Sequence, residues 1–237
     1  MLVERISARV RSTTRGCRRL WPEGHSTSGY LRAGPRGVQA VIKRLIDIVG
    51  SLLALLLFAP VMALAAVLIK LDTPGPVFFK QERAGRDGRP FIMYKLRTMV
   101  VGAEEMLDQV IDAGATGDDP LFKIRDDPRI TRVGQILRRW SIDELPQLLN
   151  VLWGEMSLVG PRPEESRIVA RYGEWHRERL LAKPGITGPM QVNGRGDLPF
   201  EERAALEIAY IENYSLWRDM CILVKTIPAV LGGEGAY

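Results

Sequence analysis

Cysteine and histidine are nearly missing from this sequence, two of each in 237 residues. Cys17 and Cys221 stand far apart, with no metal-ligand spacing and no set of pairs. That excludes a disulfide framework and a Cys/His metal centre, and it fits a reduced, cytosolic setting. His25 and His176 have no partner pattern and receive no role. No internal repeat is visible. A cleaved secretory signal is also excluded, because the apolar core begins only near residue 45 and runs on into Lys70-Leu71-Asp72 rather than into a small-residue cleavage site.

Positive charge is present in excess, a formal +5. It favours an anionic partner, and its sign alone does not choose among phospholipid, nucleotide and nucleic acid. Arg5, Arg9, Arg11, Arg15, Arg18 and Arg19 lie in a Gly-, Ser- and Thr-bearing stretch without apolar periodicity, so residues 1–40 read as a disordered basic arm. Ile48 to Ile69 then runs 22 residues without a charge, roughly 33 Å of helix and enough to cross the hydrocarbon layer. Pro60 removes a backbone donor in mid-segment, and both flanks are basic. Residues 41–71 are therefore expected to form a re-entrant membrane helix hairpin that turns at Pro60 and leaves both ends in the cytoplasm. A single spanning helix, which the length alone predicts, and a soluble core helix are the rival readings, and soluble helices seldom run so long without a charge.

Asp72-Thr73-Pro74-Gly75-Pro76 closes the segment, and residues 72–237 are expected to form one catalytic domain. Val77 to Lys80 and Phe91 to Met99 are β-capable runs about the Asp87-Gly88 turn signal, which predicts a small β-hairpin. Helices are expected over Ala103–Ala113, Thr131–Arg139, Leu145–Leu152, Pro163–Leu181, Phe200–Tyr210 and Tyr214–Leu231. The fold class is thus α+β and mainly helical.

The chemistry gathers at Asp143-Glu144-Leu145-Pro146-Gln147 and Val159-Gly160-Pro161-Arg162-Pro163. Asp143 sits just ahead of a helix that Pro146 can only begin, so a capping aspartate and a catalytic one both fit; the residues alone leave them open. Arg162 has its backbone nearly fixed by Pro161 and Pro163, which aims its guanidinium at a phosphate at lower entropic cost. Lys80, Arg83, Lys95, Arg97, Arg138 and Arg195 lie near glycine, proline or strand elements that could hold them for substrate, and Gln191 stands in a rigid polar-tipped turn. Most lone basic residues are simply solvated.

From Lys43 to Tyr237 the chain resembles the bacterial sugar transferases, the monotopic polyprenyl-phosphate phosphoglycosyl transferases of the short, exopolysaccharide-initiating type. The resemblance rests on the Pro60 apolar segment, Lys80-Gln81-Glu82-Arg83 with Gly85 and Gly88, Tyr94-Lys95-Leu96-Arg97-Thr98-Met99, the Asp143-Glu144 segment, Met156 to Pro163, and Lys183-Pro184-Gly185-Ile186-Thr187-Gly188. It implies Mg²⁺-dependent transfer of a sugar 1-phosphate from a nucleotide sugar, with UDP-galactose or UDP-glucose as the guess, to undecaprenyl phosphate. It also implies Asp143 as nucleophile and metal ligand, Glu144 as proton-transfer partner, and a covalent phosphosugar on Asp143. The implied partners are the two substrates and inner-membrane lipid at the cytoplasmic face, with no nucleic acid; a homodimer is a further candidate. Many members carry Ser before the hairpin proline where this chain has Ala59. A non-catalytic basic peripheral protein, binding membrane or nucleic acid, is the rival function. A retaining glycosidase fits poorly, because adjacent carboxylates rarely stand about 5 Å apart across a sugar.

Overall fold

The computed structural model describes residues 34–106, 127–195 and 198–232. Most of the expected basic arm, and most of the helix expected over Ala103–Ala113, lie outside the described residues.

An uncharged run with no glycine beyond Gly50 favours one long helix, and α1 spans Val38–Asp72. By length and composition it is long and apolar enough to cross a membrane. The expected hairpin is not shown: α1 continues through Pro60 as one helix. A proline removes a single i→i−4 bond, and the intrahelical bonds on either side keep the remaining backbone paired. The middle of α1, including Leu53, Leu56 and Leu57, is exposed, whereas both ends are packed. Near the start, Lys43 Nζ pairs with Asp219 at 2.7 Å and donates to the Val159 carbonyl, and Arg44 donates to the Val151 and Leu152 carbonyls. Asp47 Oδ1 accepts from Ser157 Oγ and the Leu158 amide, both at 2.9 Å. Near the end, Ala65 and Ile69 pack on Leu96 and Leu137, and Asp72 accepts from the Val133 amide.

The hairpin forms as β1 (Phe78–Ala84) and β2 (Pro90–Leu96), antiparallel with Phe78 opposite Leu96 and Ala84 opposite Pro90. Its turn needs left-handed backbone, supplied by Asp87 (φ 57°) and Gly88 (φ 73°). Helix α2 (Arg132–Arg139) is capped by Thr131, whose side chain accepts from the Gly134 amide at 2.9 Å. A 3₁₀ turn over Ile142–Glu144 leads into α3 (Gln147–Trp153). From α3, the fully buried Asn150 donates to the Ile92 carbonyl and accepts from the Tyr94 amide, covering the outer edge of β2.

A second, parallel pair joins β3 (Ser157–Val159) to β4 (Gly185–Thr187), strands that the sequence reading does not predict. Gly160 sits where the two backbones meet; a Cβ there would collide with the Lys183 carbonyl. The helix expected over Pro163–Leu181 is three short pieces: α4 (Ser166–Val169), α5 (Glu174–Arg177) and a 3₁₀ turn over Glu178–Leu181. Gly173 interrupts it, and Tyr172 is turned inward onto Ala84 and Val169. Helices α6 (Pro189–Val192), α7 (Phe200–Glu212) and α8 (Leu216–Gly232) complete the described chain, with Val159, Tyr210, Ile211 and Ile222 forming the core between β3 and the last two helices. The fold is mainly helical, with small sheets and one long apolar helix.

Candidate active site

Three elements converge on the carboxylate pair. The 3₁₀ turn holds Asp143 and Glu144, β2 brings Lys95, and the loop after β3 brings Arg162. Glu144 Oε1 accepts from Lys95 Nζ at 3.1 Å and from Arg162 Nη2 at 3.0 Å. Asp143 differs: it is only 7% exposed, yet its carboxylate takes no hydrogen bond from any described residue. It does not cap α3, whose N-cap position is Pro146. The turn is reached through Ser141 in left-handed backbone (φ 54°), a strained conformation for a non-glycine residue.

The electrostatics separate the two neighbours. Burial pushes the Asp143 carboxyl up to about 6, with Lys95 working against it, Glu144 adding to it, and Arg138 and Arg162 opposing. Burial acts on Glu144 too, but there Lys95 and Arg162 overcome it through charge and hydrogen bonds and hold the carboxyl well below the usual range. Glu144 is therefore an ionised anchor for two cations, whereas Asp143, which no described residue hydrogen-bonds, has its carboxyl raised to about 6 by burial.

Not every residue singled out from the sequence comes to this place. Arg138 does: its Nε donates to Thr98 Oγ1 at 2.9 Å, burial lowers its pKa, and Asp143 opposes that shift. Arg83 and Arg195 also lie within the field of Glu144 and Arg162, and burial lowers both. Arg97 does not. Its buried guanidinium donates to the Thr73, Pro74 and Ile69 carbonyls and so closes the end of α1. Strand alternation puts Lys80 on the exposed face of β1, over the Tyr94 ring at 5.4 Å. Gln191 donates to the Ile186 carbonyl at 3.4 Å, while its buried Oε1 has no hydrogen-bond partner. Pro161 and Pro163 are buried and frame Arg162 as the sequence implies.

Sequence reasoning missed the buried charges behind the site. Glu207 on α7 is fully buried; its Oε1 accepts from the Arg162 amide at 2.8 Å, and its Oε2 from Arg179 Nε at 2.6 Å. The available signal was a lone charge inside the apolar run Ala204-Ala205-Leu206-Glu207-Ile208-Ala209-Tyr210. Among the described residues no group of three or more His, Cys, Asp or Glu forms a metal cluster.

A carboxylate pair ringed by lysine and arginine, carried on a domain stitched to a helix long and apolar enough to cross a membrane, makes a polar site suited to an anionic ligand. The chain belongs to the bacterial sugar transferase family, whose model matches residues 38–233. It is 45% identical over 199 residues to a UDP-galactose-lipid carrier transferase of Erwinia amylovora, covering 83% of this chain and 42% of that protein. It is 45% identical over 212 residues to a UDP-glucose:undecaprenyl-phosphate glucose-1-phosphate transferase of Caulobacter vibrioides, covering 86% of this chain and 74% of the relative. Against the exopolysaccharide production protein ExoY of Rhizobium meliloti, identity is 38% over 205 residues, covering 85% and 91%. The chain spans less than half the length of several of its relatives, including the Erwinia protein.

Proposed function

We propose that this chain transfers a sugar 1-phosphate from a nucleotide sugar, UDP-linked as in the names of the relatives, to undecaprenyl phosphate, as the first membrane step of exopolysaccharide or related glycan synthesis. The observation that carries the reading is Asp143: a 7% exposed carboxylate that no described residue hydrogen-bonds, lying in the field of Lys95, Arg138 and Arg162. An Asp Oδ attacks the β-phosphorus of the nucleotide sugar. The bridging P–O bond breaks, and the nucleoside monophosphate leaves with the electron pair. The phosphosugar is then held as an acyl phosphate on Asp143. A lipid phosphate oxygen attacks the same phosphorus and releases the carboxylate, giving the polyprenyl diphosphosugar.

Attack of one anion on another needs charge neutralisation, and Arg162, Arg138, Arg83, Lys95 and Arg195 supply it from fixed positions. Glu144, held ionised, is suited to orienting Lys95 and Arg162 rather than to taking up a proton. The Asp143 carboxylate, free of hydrogen bonds from the described residues, fits Mg²⁺, which uses one or two carboxylates and fills its shell with water and substrate phosphate. When bound there, Mg²⁺ supplies neutralisation of the diphosphate charge.

We further propose that both ends of α1 stay on the cytoplasmic face of the inner membrane and that the segment bends into one leaflet at Pro60. The support is that Lys43, Arg44 and Asp47 at one end and Ile69 and Asp72 at the other are bonded or packed to the same catalytic body. The functional reading is tested by supplying the membrane-bound protein with undecaprenyl phosphate and a panel of UDP-sugars. UMP release with one of them is expected; none with any sugar or nucleotide would overturn the reading.

A further inference from the structure

The segment Pro161-Arg162-Pro163 has a single main-chain donor, because neither proline carries an N–H. That donor, the Arg162 amide, goes to Glu207 Oε1 at 2.8 Å. Glu207 is 0% exposed, and its other oxygen is held by Arg179 Nε at 2.6 Å. Arg179 is in turn fixed by Tyr172 Oη at 2.6 Å and by Glu164 at 3.5 Å. At the far end of the same residue, the Arg162 guanidinium meets Glu144 Oε1 at 3.0 Å. A buried ion pair is a weak source of stability, and well-packed apolar residues often serve as well. A carboxylate placed on the one amide that an arginine loop offers has a more specific use.

We propose that Glu207, held by Arg179, is a positioning residue that locks the Pro161-Arg162-Pro163 loop and so aims the Arg162 guanidinium across Glu144 at the substrate phosphate. This rests on the reading in which Arg162 neutralises the transferring phosphate. Glutamine at 207 keeps an acceptor for the amide but forfeits the charge that fixes Arg179. Aspartate keeps the charge but withdraws it by one methylene. Both loosen the loop without touching substrate.

The test is a double-mutant cycle on the full chain in its membrane, read by nucleoside monophosphate release with melting temperatures alongside. Glu207→Gln lowers kcat by about 10- to 100-fold, the scale of a small misplacement of a catalytic group. In an Arg162→Ala background the same change costs less than about twofold, because the residue through which it acts is gone. An equal loss in both backgrounds, or wild-type kcat in Glu207→Gln, overturns the proposal. Should Glu207→Gln fail to fold, Glu207→Asp takes its place in the cycle. Hydrogen exchange supplies a readout independent of turnover: the peptide spanning 160–164 exchanges faster in the variant while peptides of α2 do not change, and unaltered exchange at 160–164 overturns the clamp. Near-wild-type turnover in Arg162→Ala, rather than a reduced residual rate, brings down the underlying reading of Arg162 instead, and with it the catalytic role of the clamp.

Discussion

Asp143 and Glu144 are neighbours in sequence with opposite environments, and that contrast makes separate predictions for each. Asp143→Asn removes the proposed nucleophile and is expected to abolish UMP release. Glu144→Gln leaves Lys95 and Arg162 less well held and is expected to reduce kcat by roughly 10- to 100-fold without abolishing it. The pH profile follows from the raised Asp143 carboxyl. The attacking form is the carboxylate, so kcat/KM falls as pH drops through about 6 and levels off above it. An acidic limb near 4 would mean that burial does not act on the nucleophile as the structure implies. Arg162→Lys keeps the charge but loses the planar fork, and a loss of about tenfold or more is expected in the same assay. Near-normal kinetics would reduce Arg162 to a structural role.

At the scale of elements, the site depends on how α1 and α3 are tied to the short strands. Asp47 accepts two hydrogen bonds from the start of β3, and Asn150 satisfies both a donor and an acceptor on the edge of β2. Asn150→Ala leaves the partly buried Tyr94 amide and Ile92 carbonyl without their side-chain partner, for a loss of about 1 kcal/mol visible as a lower denaturation midpoint. An unchanged midpoint would show that water or a backbone shift meets those groups. Sequence pattern found α1, the β-hairpin and α2, because an uncharged run, an Asp-Gly turn and a Thr cap are local signals. It missed β3 and β4, whose three residues each pair only across the fold. It also joined Pro163 to Leu181 into one helix, since apolar spacing does not register Tyr172 turning inward. Arg97 and Arg162 looked equally fit for phosphate from sequence; only the fold spends Arg97 on the end of α1. Lys80 lost its place to strand alternation, which the sequence carries but a hairpin register is needed to use.

For the whole molecule, the two packed ends of α1 and its exposed middle describe a helix held by the catalytic body at both extremities. Its topology is read by impermeant thiol labelling of intact cells with a cysteine placed in residues 1–37. No labelling of the parent protein is expected, with partial labelling when Pro60→Leu straightens the segment; labelling of the parent would mean a spanning helix. The apolar helix and the candidate site are linked, because Lys43, Arg44 and Asp47 bond to α3, β3 and α8. The central claim is that Asp143 carries the phosphosugar during turnover. Intact-mass analysis of the protein given its nucleotide sugar without lipid acceptor tests it most directly. The account predicts a mass gain of one sugar phosphate, mapped to the peptide containing Asp143 and absent from Asp143→Asn; steady monophosphate release with lipid present and no adduct ever trapped, or an adduct that persists in Asp143→Asn, would contradict it.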